Sequence, residues 1–144
     1  MATGDLVTVR GAYATVQAAA STTDGNVCGG SVTDIGTALA ATVEDYPLLD
    51  FKLTHSVGTP STPGTVDIYR KSSGGTNAAQ TPTSTITHEY VGSFKLAATA
   101  ATKYYYVYGV PNVDQNDTYY MLNASGATLT IALAARGRSL NVAA

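Results

Sequence analysis

The chain has 144 residues, enough for one domain that buries roughly two thirds of the surface its unfolded form exposes, so no disulfide or metal is required to hold it together. Only 12% of the residues are charged and the net charge is -2, with lysines and arginines scattered singly, which leaves no basic patch and argues against nucleic acid as a direct partner. Cys28 is the one cysteine, which excludes an internal disulfide and leaves a structural zinc site without a thiolate pair, and no apolar run reaches the length of a membrane span.

Residues 1–36 are poor in large apolar side chains and rich in Ala, Gly, Thr and Ser. Leu6-Val7-Thr8-Val9-Arg10 predicts a short strand. Ala12 to Ala20 fits either a helix, with Tyr13 and Val16 at helical spacing among alanines, or a strand, which Thr15 and Val16 tolerate. Asp24-Gly25-Asn26 and Cys28-Gly29-Gly30-Ser31 are loop signals. This region is expected to be an extended N-terminal arm carrying the first strands, with docking on a neighbouring subunit open to it. A charged leader followed by an apolar core is not seen, so export and anchoring are not expected.

Residues 37–144 are expected to form a β-sandwich body. Thr37-Ala38-Leu39-Ala40-Ala41-Thr42-Val43 is a candidate strand. Leu48 to Thr54 puts Leu49, Phe51 and Leu53 on a core face and Asp50, Lys52 and Thr54 on a wet one. Val57 to Gly64, with Pro60 and Pro63, is a loop, and Thr65 to Arg70 directs Val66 and Ile68 inward. Ser72 to Ser84 is a long polar segment, of a length typical of a binding loop or a disordered one.

From Thr87 to Val142 short strands follow one another closely. Tyr90 to Leu96, Lys103 to Val110, Thr118 to Asn123 and Ala127 to Leu133 all alternate large apolar with small or polar side chains, the mark of a half-buried strand. Pro111-Asn112, Asp114 to Asp117 and Asn123 to Gly126 supply turns. The glycosylation-like triplets at Asn116 and Asn123 read as polar turns. The whole is an all-β chain, an antiparallel β-sandwich of jelly-roll or immunoglobulin-like type. The absence of Trp and of a cysteine pair favours the jelly roll.

No constellation in the sequence supports catalysis, and no cofactor or metal is called for. His55 and His88 are expected as exposed strand-end residues, the latter beside Glu89, without the spacing of a local metal-ligand motif. Glu44, Asp45 and Asp50 around Pro47, and Asp114 with Asp117, read as turn residues rather than a calcium site or a carboxylate pair. Among the ten tyrosines, Tyr104, Tyr106 and Tyr108 share one face of one strand. Either that strand is central and buried on both faces, or the three rings form an external stripe suited to a protein interface or a sugar platform.

Tyr46-Pro47-Leu48-Leu49-Asp50-Phe51-Lys52-Leu53, Val66-Asp67-Ile68-Tyr69-Arg70, Tyr90-Val91-Gly92-Ser93-Phe94 and Tyr119-Tyr120-Met121-Leu122-Asn123-Ala124-Ser125-Gly126 form a succession that resembles the decoration, or cement, proteins of tailed-bacteriophage capsids. It departs from that pattern at Leu122, where the family often has an acidic residue. The resemblance implies a non-enzymatic jelly roll, made in the bacterial cytoplasm, that assembles as a homodimer or homotrimer on the major capsid protein. Its place would be the outer surface of the virion head, which it reinforces. The competing reading is a tail-associated adhesin or carbohydrate-binding module using the tyrosine stripe and Asp114 to Asp117. An enzyme with His55 or His88 beside carboxylates ranks third.

Overall fold

The structure, a computed structural model, describes residues 6–72 and 89–142. Its strands are β1 (Leu6–Arg10), β2 (Ala14–Thr22), β3 (Leu48–Val57), β4 (Gly64–Lys71), β5 (Glu89–Leu96), β6 (Lys103–Pro111), β7 (Thr118–Ala124) and β8 (Leu129–Val142), with one short helix, α1 (Ile35–Leu39). All named strand pairs are antiparallel. The larger sheet runs β1-β8-β3-β6, with β2 also on β8, and the smaller runs β5-β4-β7. The sheets curl toward each other as a half-barrel over one core.

The core follows from the period-two pattern. Leu49, Phe51 and Leu53 of β3 and Ile131, Leu133 and Ala135 of β8 face Val66 and Ile68 of β4, Phe94 of β5 and Met121 of β7, all essentially buried. The Phe51 and Tyr119 rings meet across the gap with centroids 4.8 Å apart. The strand β8 is 14 residues long, about twice its expected extent, because one edge of it serves two partners in turn. Its first half pairs with β2, from Thr22↔Leu129 to Ala14↔Ala135, and its second half with β1, from Arg10↔Arg138 to Leu6↔Val142. Residues 6–10 and 14–22, expected within an N-terminal arm, thus lie in the larger sheet of their own chain.

The candidate strand from Thr37 to Val43 is instead α1 and the turn after it. Asp34 caps the helix, its carboxylate accepting from the Thr37 N–H at 3.0 Å and the Thr37 hydroxyl at 2.9 Å. Ile35 is buried in the core, and Ala40 ends the helix in the left-handed region at φ 51°. An alanine-rich run with one leucine has too little apolar alternation to hold a strand once a capping aspartate precedes it.

The two sides of the half-barrel are closed differently. Between β2 and β7 the segment 25–33 pairs with both sheets: Ala18 N–H donates to Ser31 O and Thr33 N–H to Val16 O, while Cys28 N–H donates to Met121 O and Asn123 N–H to Asn26 O. Bridges at Gln17↔Val32 and Val27↔Leu122 mark the same two seams. On the other side β6 pairs only with β3 and β5 only with β4 among the described residues. There side chains alone span the gap, chiefly Val107 opposite Gly92 and the Tyr105 hydroxyl, which accepts from Ala97 N–H at 2.9 Å.

Candidate functional site

Strand β6 borders the open side, and its alternation fixes what it displays. Tyr105 and Val107 turn inward and pack against the core. Tyr104, Tyr106 and Tyr108 turn outward and are 54%, 45% and 60% exposed. The reading of a central strand buried on both faces is therefore overturned, because β6 is the edge of its sheet and no described strand or helix covers its outer face. The Tyr106 and Tyr108 rings lie parallel, 1° from coplanar orientation with centroids 6.0 Å apart.

Register brings further residues to these rings. Lys52 of β3 pairs with Tyr106 on one side and Ala134 on the other, so its side chain rises from the same face. Its Nζ sits 4.7 Å from the Tyr104 ring centre and 5.8 Å from that of Tyr13. Tyr13, just ahead of β2, leans over β8 and meets Tyr106 at 6.1 Å. The Arg136 guanidinium lies 4.8 Å from the Tyr13 ring, a second cation–π contact. Burial pushes the Tyr13 phenol's pKa above its ordinary value.

Beneath the rings lies Asp50. The pattern assigned it to the wet face, and it does stand on that face, yet it is fully buried. One carboxylate oxygen accepts from Gly109 N–H at 3.0 Å and forms an ion pair with an Arg138 terminal nitrogen at 3.2 Å, and the other accepts from Arg136 Nε at 3.0 Å. Pairing passes from Leu49↔Val110 to Phe51↔Val107, so β6 carries one extra residue there. Gly109 adopts φ 71° in this bulge, a conformation that strongly favours glycine. Asp50 thus fixes the bulge and two arginines from a strand more than eighty positions away, and a buried carboxylate with three such partners satisfies the rule that buried charge be paired.

The other candidate positions serve structure. His55 is fully buried inside β3, not exposed at a strand end. Its Nε2 faces two carbonyls, Val57 O at 3.1 Å and Gly58 O at 2.7 Å, so it carries the proton and donates; among the described residues no carboxylate pairs with it. His88 and most of the Ser72 to Ser84 segment lie outside the described residues. Asp114 accepts from Asn116 N–H at 2.8 Å as a turn residue. Asp117 is buried and pairs with Arg70 at 3.3 Å, and Arg70 also meets Glu89. Asp45 accepts from Thr42 N–H at 3.0 Å, and that backbone bond, with one from the Thr42 hydroxyl, lowers its pKa. Among the described residues no three or more His, Cys, Asp or Glu side chains converge as a metal site.

Sequence reasoning found the three tyrosines of β6 but missed Tyr13, Asp50, Arg136 and Arg138 as their companions. The one available signal was the i, i+2 spacing of Arg136 and Arg138, which places two cations on one face of a strand. No family model matches the chain, and no curated protein matches its sequence, so the reading of this face rests on its geometry and on the motifs described above.

Proposed function

We propose that the protein is a non-enzymatic jelly-roll sandwich that decorates the outer surface of a tailed-phage head, binding the major capsid protein and its own copies and stabilising the shell. The observation that carries this reading is the exposed aromatic face on the edge strand β6. Three half-exposed tyrosines in a row, backed by two arginines held in place, have the composition of an interface centre, where Tyr and Arg are enriched. Cementing needs no catalytic group, because weak contacts repeated at symmetry-related sites add through multivalency.

The jelly-roll assignment is supported by the order of strands. The path β2-β8-β3-β6 faces a path in which the Val27 bridge, β7, β4 and β5 lie side by side. From β2 onward, with the Val27 bridge counted in the smaller sheet, the strands alternate between sheets except at the β4–β5 pair, as two interlocked Greek keys require, and β1 is an addition to the larger sheet. The bridge at Val27 takes the place of a fourth strand in the smaller sheet.

The test is co-sedimentation of the purified protein with expanded, undecorated heads of the phage that encodes it. Saturable binding at a fixed ratio to the major capsid subunit, with heads made more resistant to heat, is the expected result. Recovery in tail fractions with no binding to heads would move the protein to the tail. The parallel Tyr106 and Tyr108 rings favour a second reading, a carbohydrate-binding module, since flat aromatic faces suit sugar rings. A glycan array separates the two, because decoration requires no sugar affinity.

A further inference from the structure

We infer that the outer face of the larger sheet is a receptor for carboxylate side chains, and that its occupant is an acidic surface of the shell protein; this partner assignment rests on the decoration reading. Charge is the first ground. Lys52, Arg136 and Arg138 set three cations against the single carboxylate of Asp50, a net +2 among these four groups on a chain whose total is -2, and register adds Arg10 opposite Arg138 on the same face. The second ground is preorganisation. Arg136 commits its Nε to Asp50 and Arg138 one terminal nitrogen, and their remaining terminal nitrogens meet no acceptor among the described residues.

These arginine side chains are only 22% and 24% exposed, so little rotamer freedom remains to be lost on binding. A planar guanidinium with two free N–H groups suits a carboxylate by geometry as well as charge. Asp50 sets that geometry while cancelling part of the charge. A long polyanion is disfavoured for the same reason: both arginines are shared with one carboxylate, and of these three cations only Lys52 makes no ion pair among the described residues. The flanking rings of Tyr13 and Tyr106 would exclude water from the contact.

The experiment combines two probes. Head binding is measured across salt with the wild type, Lys52→Glu and Lys52→Gln, each checked for an unchanged melting temperature. Amide resonances are followed while a ten-residue glutamate peptide or a thymidine oligomer of equal length is added. The expected results are a roughly tenfold weaker association with heads between about 0.05 and 0.3 M salt, and a loss of about tenfold or more in Lys52→Glu with a smaller one in Lys52→Gln. The glutamate peptide should shift resonances at Tyr13, Lys52, Tyr106, Arg136 and Arg138 and compete with heads. Head binding that ignores both salt and Lys52→Glu would leave decoration standing and overturn the inference. No head binding, with the peptide still shifting those resonances, would remove decoration and the shell as partner but sustain the carboxylate receptor. No shift with the peptide, or its displacement by the thymidine oligomer at equal concentration, would overturn the receptor itself.

Discussion

The two sides of the half-barrel solve one problem in opposite ways. On the β2–β7 side the gap between sheets is stitched by backbone and by two buried amides. Gln17 is fully buried, its Nε2 donating to Cys28 O at 2.8 Å and Gly30 O at 3.2 Å while its Oε1 accepts from Met121 N–H at 2.8 Å. Asn123 does the same lower down, donating to Thr22 O and Ala127 O and accepting from Ser125 N–H. On the β5–β6 side no backbone pairing joins the described strands, and the outer face of β6 carries its apolar surface in the open. A fully satisfied polar network makes the first side rigid and specific. The second is left with surface that a partner can cover, which is where function is expected.

Breaking the stitched side should have the largest effect. Gln17→Ala leaves the Met121 N–H and the Cys28 and Gly30 carbonyls buried without partners, and a loss of roughly 3–5 kcal/mol in urea unfolding is expected. A loss under about 1 kcal/mol would mean that the clasp is dispensable. Next comes a matched pair of glycines. A Cβ on Gly30 would lie 1.9 Å from the Ala18 carbonyl oxygen, which the β2 seam holds in place, so Gly30→Ala should destabilise by about 3 kcal/mol. On the open side a Cβ on Gly92 would meet Val107 at an ordinary 3.5 Å, and Gly92→Ala should change stability by no more than about 0.5 kcal/mol. Equal losses in the two variants would erase the contrast between the sides.

The contrast also explains what the sequence could and could not reveal. Leu49, Phe51, Leu53, Val66 and Ile68 were legible as core because alternation is local and each is large. The C-terminal half of β8 was not, since Ala134-Ala135-Arg136-Gly137-Arg138 offers no large apolar residue to mark a buried face. Its pairing with β1 lies more than a hundred residues away in sequence. Helix α1 was missed because its signal is one capping aspartate and a few alanines, weaker than the apparent β pattern around it. At the candidate site the tyrosine row was visible for the reason the core was. Asp50 looked like a solvated charge because its arginine partners come from β8, and His55 looked exposed because a strand-end histidine gives no hint of the carbonyls that enclose it.

Alkaline pH sharpens the comparison with a smaller effect. Tyr119 and Tyr120 lie in β7, on the stitched side. Burial holds the pKa of Tyr119 well above its ordinary value, and burial with the field of Tyr69 pushes Tyr120 up to about 12. A phenol whose folded pKa exceeds its unfolded value near 10 adds stability that is complete below pH 10 and is lost as pH rises through the folded value. The urea midpoint should therefore hold steady up to about pH 10 and then fall, by at most about 1.4 kcal/mol per pH unit for each phenol. Phenolate absorbance should show these two groups ionising together with unfolding. Stability that stays level up to pH 12 would contradict their burial.

The smallest folding effect is expected where the functional effect should be greatest. Tyr106 is 45% exposed, and among the described residues its ring stacks on or tilts against Tyr13 and Tyr108. Tyr106→Ser removes a side chain that seals no core and leaves no buried polar atom behind, so it should lower stability by less than about 1 kcal/mol. If the face is an interface, the same change strips an aromatic anchor from its centre, and head binding should weaken by tenfold or more, about 1.4 kcal/mol. Calorimetry and co-sedimentation on one preparation give both numbers. A variant that unfolds by several kcal/mol would place the ring in the fold's own packing, and one that is as stable and binds as tightly as the wild type would take the tyrosine row out of the contact. Only a loss of binding without a loss of folding fits a side of the barrel left open for a partner.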